Sequence, residues 1–339
     1  MPMSVLLTGG TGYIGSHTAT VLSKLGHQVV LYDNLSNSSD TVLEKIFQIT
    51  GQQLNFVKGD VRDTVLLGKT INAYDIGAVI HFAGLKAVGE SVDSPIEYYL
   101  NNVQGTLSLL QAMQAVQVKT LVFSSSATVY GEPLYLPLDE NHPTGATNPY
   151  GRTKLHIEEM LKDIAASDPY WRIACLRYFN PVGAHEIGLI GESPNGVPNN
   201  LMPYIAQVAA GQRAELKVFG GDYPTPDGTG VRDYIHVMDL ADGHAAALSF
   251  LSQYIGWHAI NLGTGTGYSV LDVIRTFEKA SGRQVPYRVV DRRAGDVSAC
   301  YADPSKANQQ LQWTATRTME DMCASAWWFQ QSQGLSFPY

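Results

Sequence analysis

A glycine loop near the N-terminus constrains the fold more than any other feature of this sequence. The strand pattern Ser4–Thr8 leads directly into the run Gly9–Gly15, which has glycines at positions 9, 10, 12 and 15, and a helical pattern follows. Glycines at these places permit a tight turn, a close approach of the backbone to a pyrophosphate, and close packing of helix on sheet. A pyrophosphate there would lie at a helix N-terminus, where free N–H groups and the helix dipole attract anions. The loop therefore predicts a dinucleotide-binding βα unit.

The end of the second strand pattern, Gln28–Tyr32, indicates which dinucleotide is bound. Asp33 stands 18 positions beyond Gly15, close to the spacing at which a carboxylate bonds the ribose hydroxyls. Because a carboxylate repels a 2′-phosphate, Asp33 favours NAD over NADP. The alternative, that Asp33 simply begins a turn, is weakened by the glycine loop that precedes it.

The first half of the chain alternates short apolar runs with helical patterns such as Ser16–Leu25 and Asn102–Val116. The apolar runs are rich in β-branched and aromatic residues, which favours strands that are covered on both faces. Alternating strands and helices indicate right-handed βαβ units. We therefore predict an α/β fold: a doubly wound parallel sheet (Rossmann) with a smaller α/β substrate-binding lobe. The predicted strands are Ser4–Thr8, Gln28–Tyr32, Leu54–Val57, Ala78–Phe82 and Thr120–Ser124.

The pattern changes in the second half, where glycine, proline and asparagine become frequent. They cluster at Asn180–Gly183 and again at 193–200, and such loops are typical of a substrate lobe mounted on a rigid scaffold. The run His258–Gly263 again has the composition of a strand of the first half. The predicted division is a NAD-binding Rossmann domain over 1–180 and a mainly substrate-binding lobe over 181–339, with segments at about 230–265 returning to the first domain.

Composition excludes several classes of protein. A formal net charge of -8 and a pI of about 5.6 argue against a nucleic-acid-binding protein, which would carry a basic face. The cysteines Cys175, Cys300 and Cys323 are odd in number and widely spaced, so they predict neither a disulfide framework nor a metal site. There is no apolar run of membrane-spanning length and no signal-peptide pattern. We expect a soluble protein of the reducing cytoplasm that contacts no membrane.

A tyrosine and a lysine four residues apart suggest the chemistry. Tyr150 and Lys154 would share one face of a helix that begins near Pro149. A nearby cation lowers the pKa of a phenol, so Tyr150 can act as a base toward an alcohol proton while hydride leaves the carbon. The serines Ser124–Ser126 end the fifth strand, at the edge where ligands bind in such sheets. The alternatives, a solvated helix face and a polar turn, become less plausible when all these features occur together.

Longer stretches carry a resemblance over essentially the whole chain. They are Thr8–Ser16, His81–Ser91, Ser124–Gly131, Leu176–Ala184 and Gly228–Val237. With these stretches the sequence resembles the extended short-chain dehydrogenase/reductase family, most closely those of its members that epimerise UDP-galactose. Proteins of this kind are typically homodimers joined through helices of the first lobe, so the resemblance implies a UDP-sugar substrate and a second copy of the chain as partners.

The resemblance also implies a reaction. UDP-galactose and UDP-glucose would be interconverted reversibly at C4 through a transient 4-keto sugar and tightly bound NAD, as part of galactose metabolism. Tyr150 would take the proton of the sugar 4-hydroxyl. Lys154 would bind the nicotinamide ribose and lower the pKa of Tyr150, and Ser126 would bond the substrate oxygen.

Further residues are implied to line the two ligands. Arginine is chemically suited to this, because its guanidinium binds diphosphate oxygens in a fixed fork. The alternative for any one of these residues is an ordinary position in a surface loop with no binding role, and this alternative is most serious for Lys217. The cofactor-binding residues would be Gly9, Gly12, Tyr13, Ile14, Gly15, Asp33, Asn34, Asn37, Ser38, Asp60, Val61, Phe82, Ala83, Gly84, Lys86, Asn101, Ser126, Tyr150, Lys154 and Phe179. The substrate-binding residues would be Ser126, Tyr150, Asn180, Asn200, Leu201, Lys217, Val218, Phe219, Arg232, Arg293, Asp296 and Cys300.

One position bears on substrate breadth. Members of the family that are restricted to UDP-galactose and UDP-glucose are similar in having a bulky tyrosine where alignment places Cys300. A cysteine leaves room for an N-acetyl group at C2, so interconversion of UDP-N-acetylglucosamine and UDP-N-acetylgalactosamine is a further hypothesis. The alternatives are an ordinary buried cysteine and a one-residue slip that would bring Tyr301 to this place.

Two rival functions remain open. A nucleotide-sugar 4,6-dehydratase of the same family would carry an Asp-Glu pair directly after the serine, where this chain has Ala127 and Thr128. A non-catalytic NAD-sensing protein on the same fold is the second rival, because a fold does not determine a function. Such proteins tend to lose the catalytic tyrosine and lysine, and both are present here.

Overall fold

The computed structural model describes residues 2–193, 196, 198–293 and 295–333. Parts of the predicted loop 193–200 and the end of the predicted second lobe, 334–339, lie outside these residues. The strands, numbered along the chain, are β1 (Ser4–Thr8), β2 (Gln28–Asp33), β3 (Asn55–Lys58), β4 (Ile76–His81), β5 (Thr120–Ser126), β6 (Arg172–Tyr178), β7 (Asn180–Val182), β8 (Leu216–Phe219), β9 (Val231–His236), β10 (Gly256–Leu262), β11 (Gly267–Ser269), β12 (Tyr287–Val290) and β13 (Ala299–Cys300).

The α-helices, numbered in the same way, are α1 (Tyr13–Lys24), α2 (Thr41–Thr50), α3 (Thr64–Ala73), α4 (Val88–Asp93), α5 (Pro95–Tyr98), α6 (Gly105–Ala115), α7 (Pro149–Ser167), α8 (Leu201–Ala209), α9 (Val237–Leu251), α10 (Val270–Ser281) and α11 (Met319–Ser332). Shorter turns of other helical types are the π-helical stretches Tyr99–Gln104 and Ala307–Leu311 and the 3₁₀ turn Ala127–Val129.

Seven strands form one parallel sheet in the order β10-β6-β5-β4-β1-β2-β3. The predicted doubly wound sheet is therefore confirmed. The chain passes from β1 to β2 and β3 on one side and then crosses to β4 on the other. Such a switch opens a crevice at the carboxyl ends of β1 and β4, where ligands bind in sheets of this type.

The predicted elements of the first half are confirmed with small shifts at their ends. The first helix begins at Tyr13 rather than Ser16, because Gly12 is in an extended conformation and the helix follows it at once. The predicted helix Asn102–Val116 contains two types of helix. The π-helical stretch continues to Gln104, and the regular α-helix α6 follows it. A hydrophobic period near 3.6 does not distinguish the two forms over so short a stretch.

Both faces of the sheet are covered by helices. Successive strand residues point to opposite faces, so Val5 and Leu7 join the core beneath α1 and α9, while Leu6 joins the core beneath α3, α6 and α7. The side chains of Val5, Leu6 and Leu7 are all fully buried. This explains why the strands consist of nearly continuous apolar residues rather than an alternating pattern.

The second lobe is smaller and has its own core. Strand β9 pairs with β7 and β13 in parallel and with β11 antiparallel, and a separate parallel pair joins β8 to β12. Helices α8, α10 and α11 supply core residues such as Ile205, Phe277 and Met322.

The chain returns to the large sheet after β9. Helix α9 packs against α1, and β10 pairs with β6 in register from Gly256 opposite Arg172. The strand predicted at His258–Gly263 is thus confirmed as β10. The division of domains near residue 180 stays a prediction. Among the described residues, no helix combines the length and apolar character that crossing a bilayer requires.

Candidate active site

The end of β5 and the start of α7 bring the proposed catalytic side chains together. Asn148 caps α7 by accepting a hydrogen bond from Gly151 N at 2.8 Å, and Pro149 occupies the first turn. This start places Tyr150 and Lys154 one turn apart, as their spacing predicts. The Lys154 ammonium lies 5.9 Å from the centre of the Tyr150 ring and donates to the Ser124 carbonyl at 2.6 Å.

Burial controls the acidity of both groups. It lowers the pKa of Lys154 to about 8, and the Glu158 carboxylate opposes this. It raises the pKa of Tyr150, and hydrogen bonding with Ser126 offsets only part of the rise. Desolvation of the phenolate is therefore the largest influence on the Tyr150 pKa in the protein by itself. That Lys154 and the nicotinamide together lower this pKa stays a prediction.

The glycine loop has the shape that its sequence predicts. Gly9 adopts a positive φ of 69°, and a Cβ there would lie 2.6 Å from the Ala83 backbone nitrogen. A Cβ on Gly15 would lie 2.5 Å from the Gly9 carbonyl oxygen. Helix α1 has no side-chain cap and no acidic residue in its first turn. The N–H groups at this helix start can therefore bind a pyrophosphate, and the loop fits a dinucleotide.

Asp33 lies at the end of β2 with its carboxylate beside the loop. It accepts hydrogen bonds from Thr11 N at 3.2 Å, Leu35 N at 2.9 Å and Ser38 Oγ at 3.1 Å. The Thr11 and Ser38 hydroxyls bond each other at 2.8 Å. These bonds hold the carboxylate at the sheet edge, next to the glycines, where a ribose of the same cofactor would lie.

Other proposed cofactor residues surround the same crevice. Asn34 donates to Asp60 at 3.2 Å, and Asp60 is also paired with Arg62. A Cβ on Gly84 would lie 3.8 Å from the Lys154 ammonium. Of the remaining proposed residues, Phe82, Ala83 and Phe179 follow strand ends, and Tyr13 and Ile14 begin α1. Asn37 and Lys86 are exposed, and Val61 is buried. The Val61 side chain lies in the core, so only its backbone could touch a ligand.

Asn101 and its neighbour have different surroundings. Asn101 is half-buried, and among the described residues its side chain has no protein hydrogen-bond partner. Asn102, which the sequence did not single out, bonds both the N–H and the carbonyl of Leu85 and the Thr153 hydroxyl. It fastens the loop after β4 to α7.

The second lobe contributes an arginine and several neighbours to the same region. Arg232 on β9 pairs with Asp296 at 2.5 Å, and Cys300 on β13 stands opposite Arg232 in the sheet register. The Arg293 guanidinium lies 4.4 Å from the centre of the Phe219 ring. Four more proposed residues have varied positions: Asn180 and Lys217 are exposed, Leu201 begins α8, and Val218 is buried in the core of the lobe.

Glu192 is a site residue that the sequence reasoning missed. It accepts hydrogen bonds from Lys86 Nζ at 3.0 Å and from Asn200 Nδ2 at 2.6 Å. It therefore joins a proposed cofactor residue of the first lobe to a proposed substrate residue of the second. A glutamate in a loop-rich stretch carries no periodic signal, so the sequence offered nothing by which to find it.

Comparison with known proteins agrees with this geometry. Residues 6–326 match the family model described as GDP-mannose 4,6 dehydratase. The chain is 56% identical over 330 residues to a UDP-glucose 4-epimerase of Bacillus subtilis, covering 97% of each protein. The chain belongs to the UDP-glucose 4-epimerase family. The wider group to which this family belongs comprises NAD-dependent epimerases and dehydratases of the extended short-chain dehydrogenase/reductase type.

Solved structures of the 4-epimerase family have the same fold. The UDP-glucose-4-epimerase of Stenotrophomonas maltophila, with bound NAD and formylated UDP-arabinopyranose, superposes with a TM-score of 0.96 at 52% identity and 98% coverage of both chains. The enzyme of Bifidobacterium longum, in complex with NAD+ and UDP, gives a TM-score of 0.95 at 53% identity, covering 98% of this chain and 100% of that one.

Proposed function

We propose that this chain is an NAD-dependent isomerase that interconverts UDP-galactose and UDP-glucose at C4 and serves galactose metabolism. The observation that carries the proposal is the group Ser126, Tyr150 and Lys154 beside a glycine loop, in a chain whose full-length relatives are UDP-glucose 4-epimerases. The two halves of this observation are independent, because the geometry does not depend on the relatives.

The protein's own residues divide the proton chemistry between them. Tyr150 takes the proton from the sugar 4-hydroxyl and returns it, and Ser126 bonds the same oxygen. Ser126 Oγ already accepts hydrogen bonds from Thr128 N at 3.2 Å and from Thr128 Oγ1 at 3.0 Å, so its own proton can point to the sugar. Lys154 provides a positive charge beside the phenol, anchored on β5.

NAD would be held along the sheet edge by the glycine loop and by Asp33. When bound, it supplies the redox chemistry by accepting hydride from C4 and giving it back to the other face. Its positive nicotinamide adds to the Lys154 charge, and together they would offset the burial that raises the Tyr150 pKa. The loop bonds to Asp33 orient its carboxylate for the ribose hydroxyls, which favours NAD over NADP.

The UDP-sugar would bind between the lobes. Arg232 and Arg293 would bind the diphosphate, and Phe219 lies beneath the Arg293 guanidinium. Arg232 is paired with Asp296 in the protein alone. A diphosphate would compete for that guanidinium, because bidentate phosphate contacts to arginine are strong.

The residues that follow Ser126 disfavour the dehydratase alternative. Ala127 and Thr128 follow it in a 3₁₀ turn, and the Thr128 hydroxyl is bonded back to Ser126. Neither residue can act as the acid or base that loss of water across C5–C6 needs. The non-catalytic alternative is disfavoured because Tyr150 and Lys154 are both present and correctly spaced.

We also propose that N-acetylated UDP-sugars are substrates. Cys300 stands opposite Arg232, and paired strand residues project from the same face of a sheet. It packs in a cluster with Phe179 and Ala127, next to Ser126, and burial raises its thiol pKa to about 11. Tyr301 projects the other way, toward Gly267. These contacts support Cys300 as the side chain that limits the group at C2.

A second copy of this chain is the proposed partner. An apolar patch on α5 and the following helical residues exposes Ile96 by 72%, Leu100 by 39% and Leu107 by 41%. Exposed apolar patches of this kind on helices are typical of interfaces between subunits. The predicted homodimer would cover this patch.

The three cysteines are free thiols, which is compatible with the predicted cytoplasmic location.

The test is an epimerase assay without added cofactor. Purified protein is given UDP-galactose, and the UDP-glucose formed is measured by a coupled dehydrogenase. We expect turnover without external NAD, because the cofactor is retained through the catalytic cycle. Release of a 4-keto-6-deoxy sugar would favour the dehydratase, and bound NAD without turnover would favour the sensing protein.

A further inference from the structure

A buried carboxylate lies one turn beyond the catalytic lysine. Tyr150, Lys154 and Glu158 are spaced four residues apart on α7, so their side chains follow one another along a single face of the helix. The Glu158 side chain is only 2% exposed. A buried carboxylate costs free energy unless it is paired and hydrogen-bonded, so its position at this place requires an explanation.

Three consecutive serines on β5 contact these three helix residues. The Ser124 carbonyl accepts the Lys154 ammonium at 2.6 Å, and the Ser125 hydroxyl donates to Glu158 at 2.5 Å. Ser126, the third serine, lies close enough to Tyr150 to offset part of the rise that burial causes in the Tyr150 pKa. The Glu158 bond therefore holds α7 on β5 in the register that brings the lysine and the tyrosine to the strand end.

The neighbouring strand fixes the carboxylate from a second side. Arg177 on β6 stands opposite Ser125 in the sheet register. Its guanidinium donates to both carboxylate oxygens of Glu158, from Nη2 at 2.6 Å and from Nε at 3.1 Å. Two parallel bonds of this type set the orientation of a carboxylate as well as its position. Glu158 thus cannot rotate away from the Lys154 side of the helix.

Glu158 also supplies the negative charge for the lysine. The groups that face Lys154 are Tyr150 and Glu158 on its own helix, His81 on β4 and Cys175 on β6. Burial and the Lys154 charge lower the pKa of His81 to about 3, and burial raises the pKa of the Cys175 thiol well above its usual value. Both are uncharged near neutrality. Of these four groups, Glu158 is the one that carries a negative charge.

We propose that Glu158 is a positioning residue for the epimerase reaction, which fixes α7 against β5 and provides the counter-charge of the Lys154 ammonium. The inference rests on the proposed function of Tyr150 and Lys154. Glu158 is buried and bonded to Ser125 and Arg177, so it would not touch either ligand. It acts through the lysine, and the pair Glu158–Arg177 is more than a structural ion pair in the core.

The decisive variant is Glu158→Gln in the NAD-containing enzyme. Glutamine keeps the size and can still bond Ser125, but the charge is lost. Because burial already lowers the Lys154 pKa to about 8, removing the nearby negative charge should lower it further. The alkaline limb of the pH profile of kcat should then move toward acid by about one pH unit or more. Retained NAD, measured after gel filtration, should be unchanged.

A matched control separates this role from general stability. Asp239→Asn removes another buried carboxylate, which accepts from the Arg317 guanidinium at 2.5 Å and from Arg317 N at 2.9 Å, far along the chain from the catalytic residues. Both variants should lower the melting temperature, since each removes a buried carboxylate that accepts hydrogen bonds from an arginine. Only Glu158→Gln should move the alkaline limb.

The outcomes are distinguishable. If Glu158→Gln does not fold, the double variant Glu158→Gln with Arg177→Met also removes the arginine charge that Glu158 had paired, and it carries the same expectation for Lys154. A pH profile identical to that of the wild type in either folded variant overturns the positioning role. An inactive wild-type enzyme would instead overturn the proposed function, before the variants are compared.

Discussion

The proposed catalytic corner and the proposed diphosphate side of this molecule are built in different ways. In the catalytic corner, formed by the end of β5 and the start of α7, Lys154 is 4% exposed and bonded to a strand carbonyl. On the diphosphate side, formed by β9, β13 and the loops beside them, Arg232 and Asp296 pair on a surface where their side chains are 17% and 37% exposed. Lys86 and Glu192 form a similar, partly exposed pair.

The difference matches two tasks. Chemistry at C4 needs groups that do not reorganise during the reaction, and burial with bonds to the backbone provides this. Binding a charged ligand needs groups that can exchange partners, and exposed ion pairs are worth only about 0–1 kcal/mol. A diphosphate can therefore replace Asp296 on Arg232 at little cost. Changes in the first region should lower kcat, and changes in the second should raise KM.

The largest expected effect is in the catalytic corner. Tyr150→Phe keeps the ring and its packing but removes the group that accepts the proton. We expect kcat to fall by about two to four orders of magnitude, the usual contribution of a general base. Retained NAD and the KM for UDP-galactose should change little. Steady-state kinetics with the coupled assay measure all three.

A matched control for this variant is Tyr170→Phe, since Tyr170 is 72% exposed and lies just before β6, at the opposite end of the strand from the catalytic residues. It should behave as the wild type. Near-normal turnover in Tyr150→Phe would show that the proton leaves by another route, and the contrast between the two regions would then lose its chemical basis.

The next largest effect should be on substrate affinity. Arg232→Ala removes a charge-assisted contact to the diphosphate, which is worth about 1.5–3 kcal/mol. The KM for UDP-galactose should therefore rise by about tenfold to a hundredfold, with a smaller change in kcat. Isothermal titration with UDP, which has no reacting sugar, should show the same loss.

Arg292→Ala is the control for the arginine variant. Arg292 has the same chemistry and is adjacent to Arg293, but its side chain is 45% exposed and pairs with Asp222. We expect KM to change by less than about fivefold, as for a surface ion pair. Equal effects of the two variants would mean that general positive charge, and not Arg232 itself, attracts the diphosphate.

The smallest effect on UDP-galactose is expected at Cys300. Cys300→Tyr places a large ring beside the proposed sugar site, so conversion of UDP-N-acetylgalactosamine should fall by about tenfold or more, as overpacking predicts. UDP-galactose should be turned over nearly as before. The neighbouring variant Tyr301→Phe should leave both substrates unaffected. A wild-type enzyme that ignores N-acetylated sugars would contradict the hypothesis at once.

The local patterns in the sequence were sufficient for the scaffold. Strand–helix alternation predicted the parallel sheet, and the glycines at 9, 12 and 15 predicted the turn that begins α1. The spacing of Tyr150 and Lys154 predicted a shared helix face. Each of these depends on residues close together in the chain, where backbone geometry and the hydrophobic period leave few alternatives.

The buried position of Glu158 could not be predicted from such local patterns. Its spacing from Tyr150 and Lys154 was visible, but a glutamate on a helix is far more often solvated than buried. Its role depends on Ser125 and on Arg177 of another strand, which approach it only in the folded sheet. The rise that burial causes in the Tyr150 pKa was hidden from the sequence for the same reason, since burial is a property of the whole fold.

The sequence by itself determined the α/β class, the glycine loop, the carboxylate at Asp33 and the tyrosine–lysine pair, because each is encoded by neighbours along the chain. Tertiary structure alone decided that Glu192 links Lys86 to Asn200, that Cys300 stands beside Arg232, and that Glu158 is bonded to Ser125 and Arg177. Most of these contacts join residues of different elements that are far apart in the chain. Their geometry and their electrostatics depend on how strands pair and which groups lose water, and a linear pattern specifies neither.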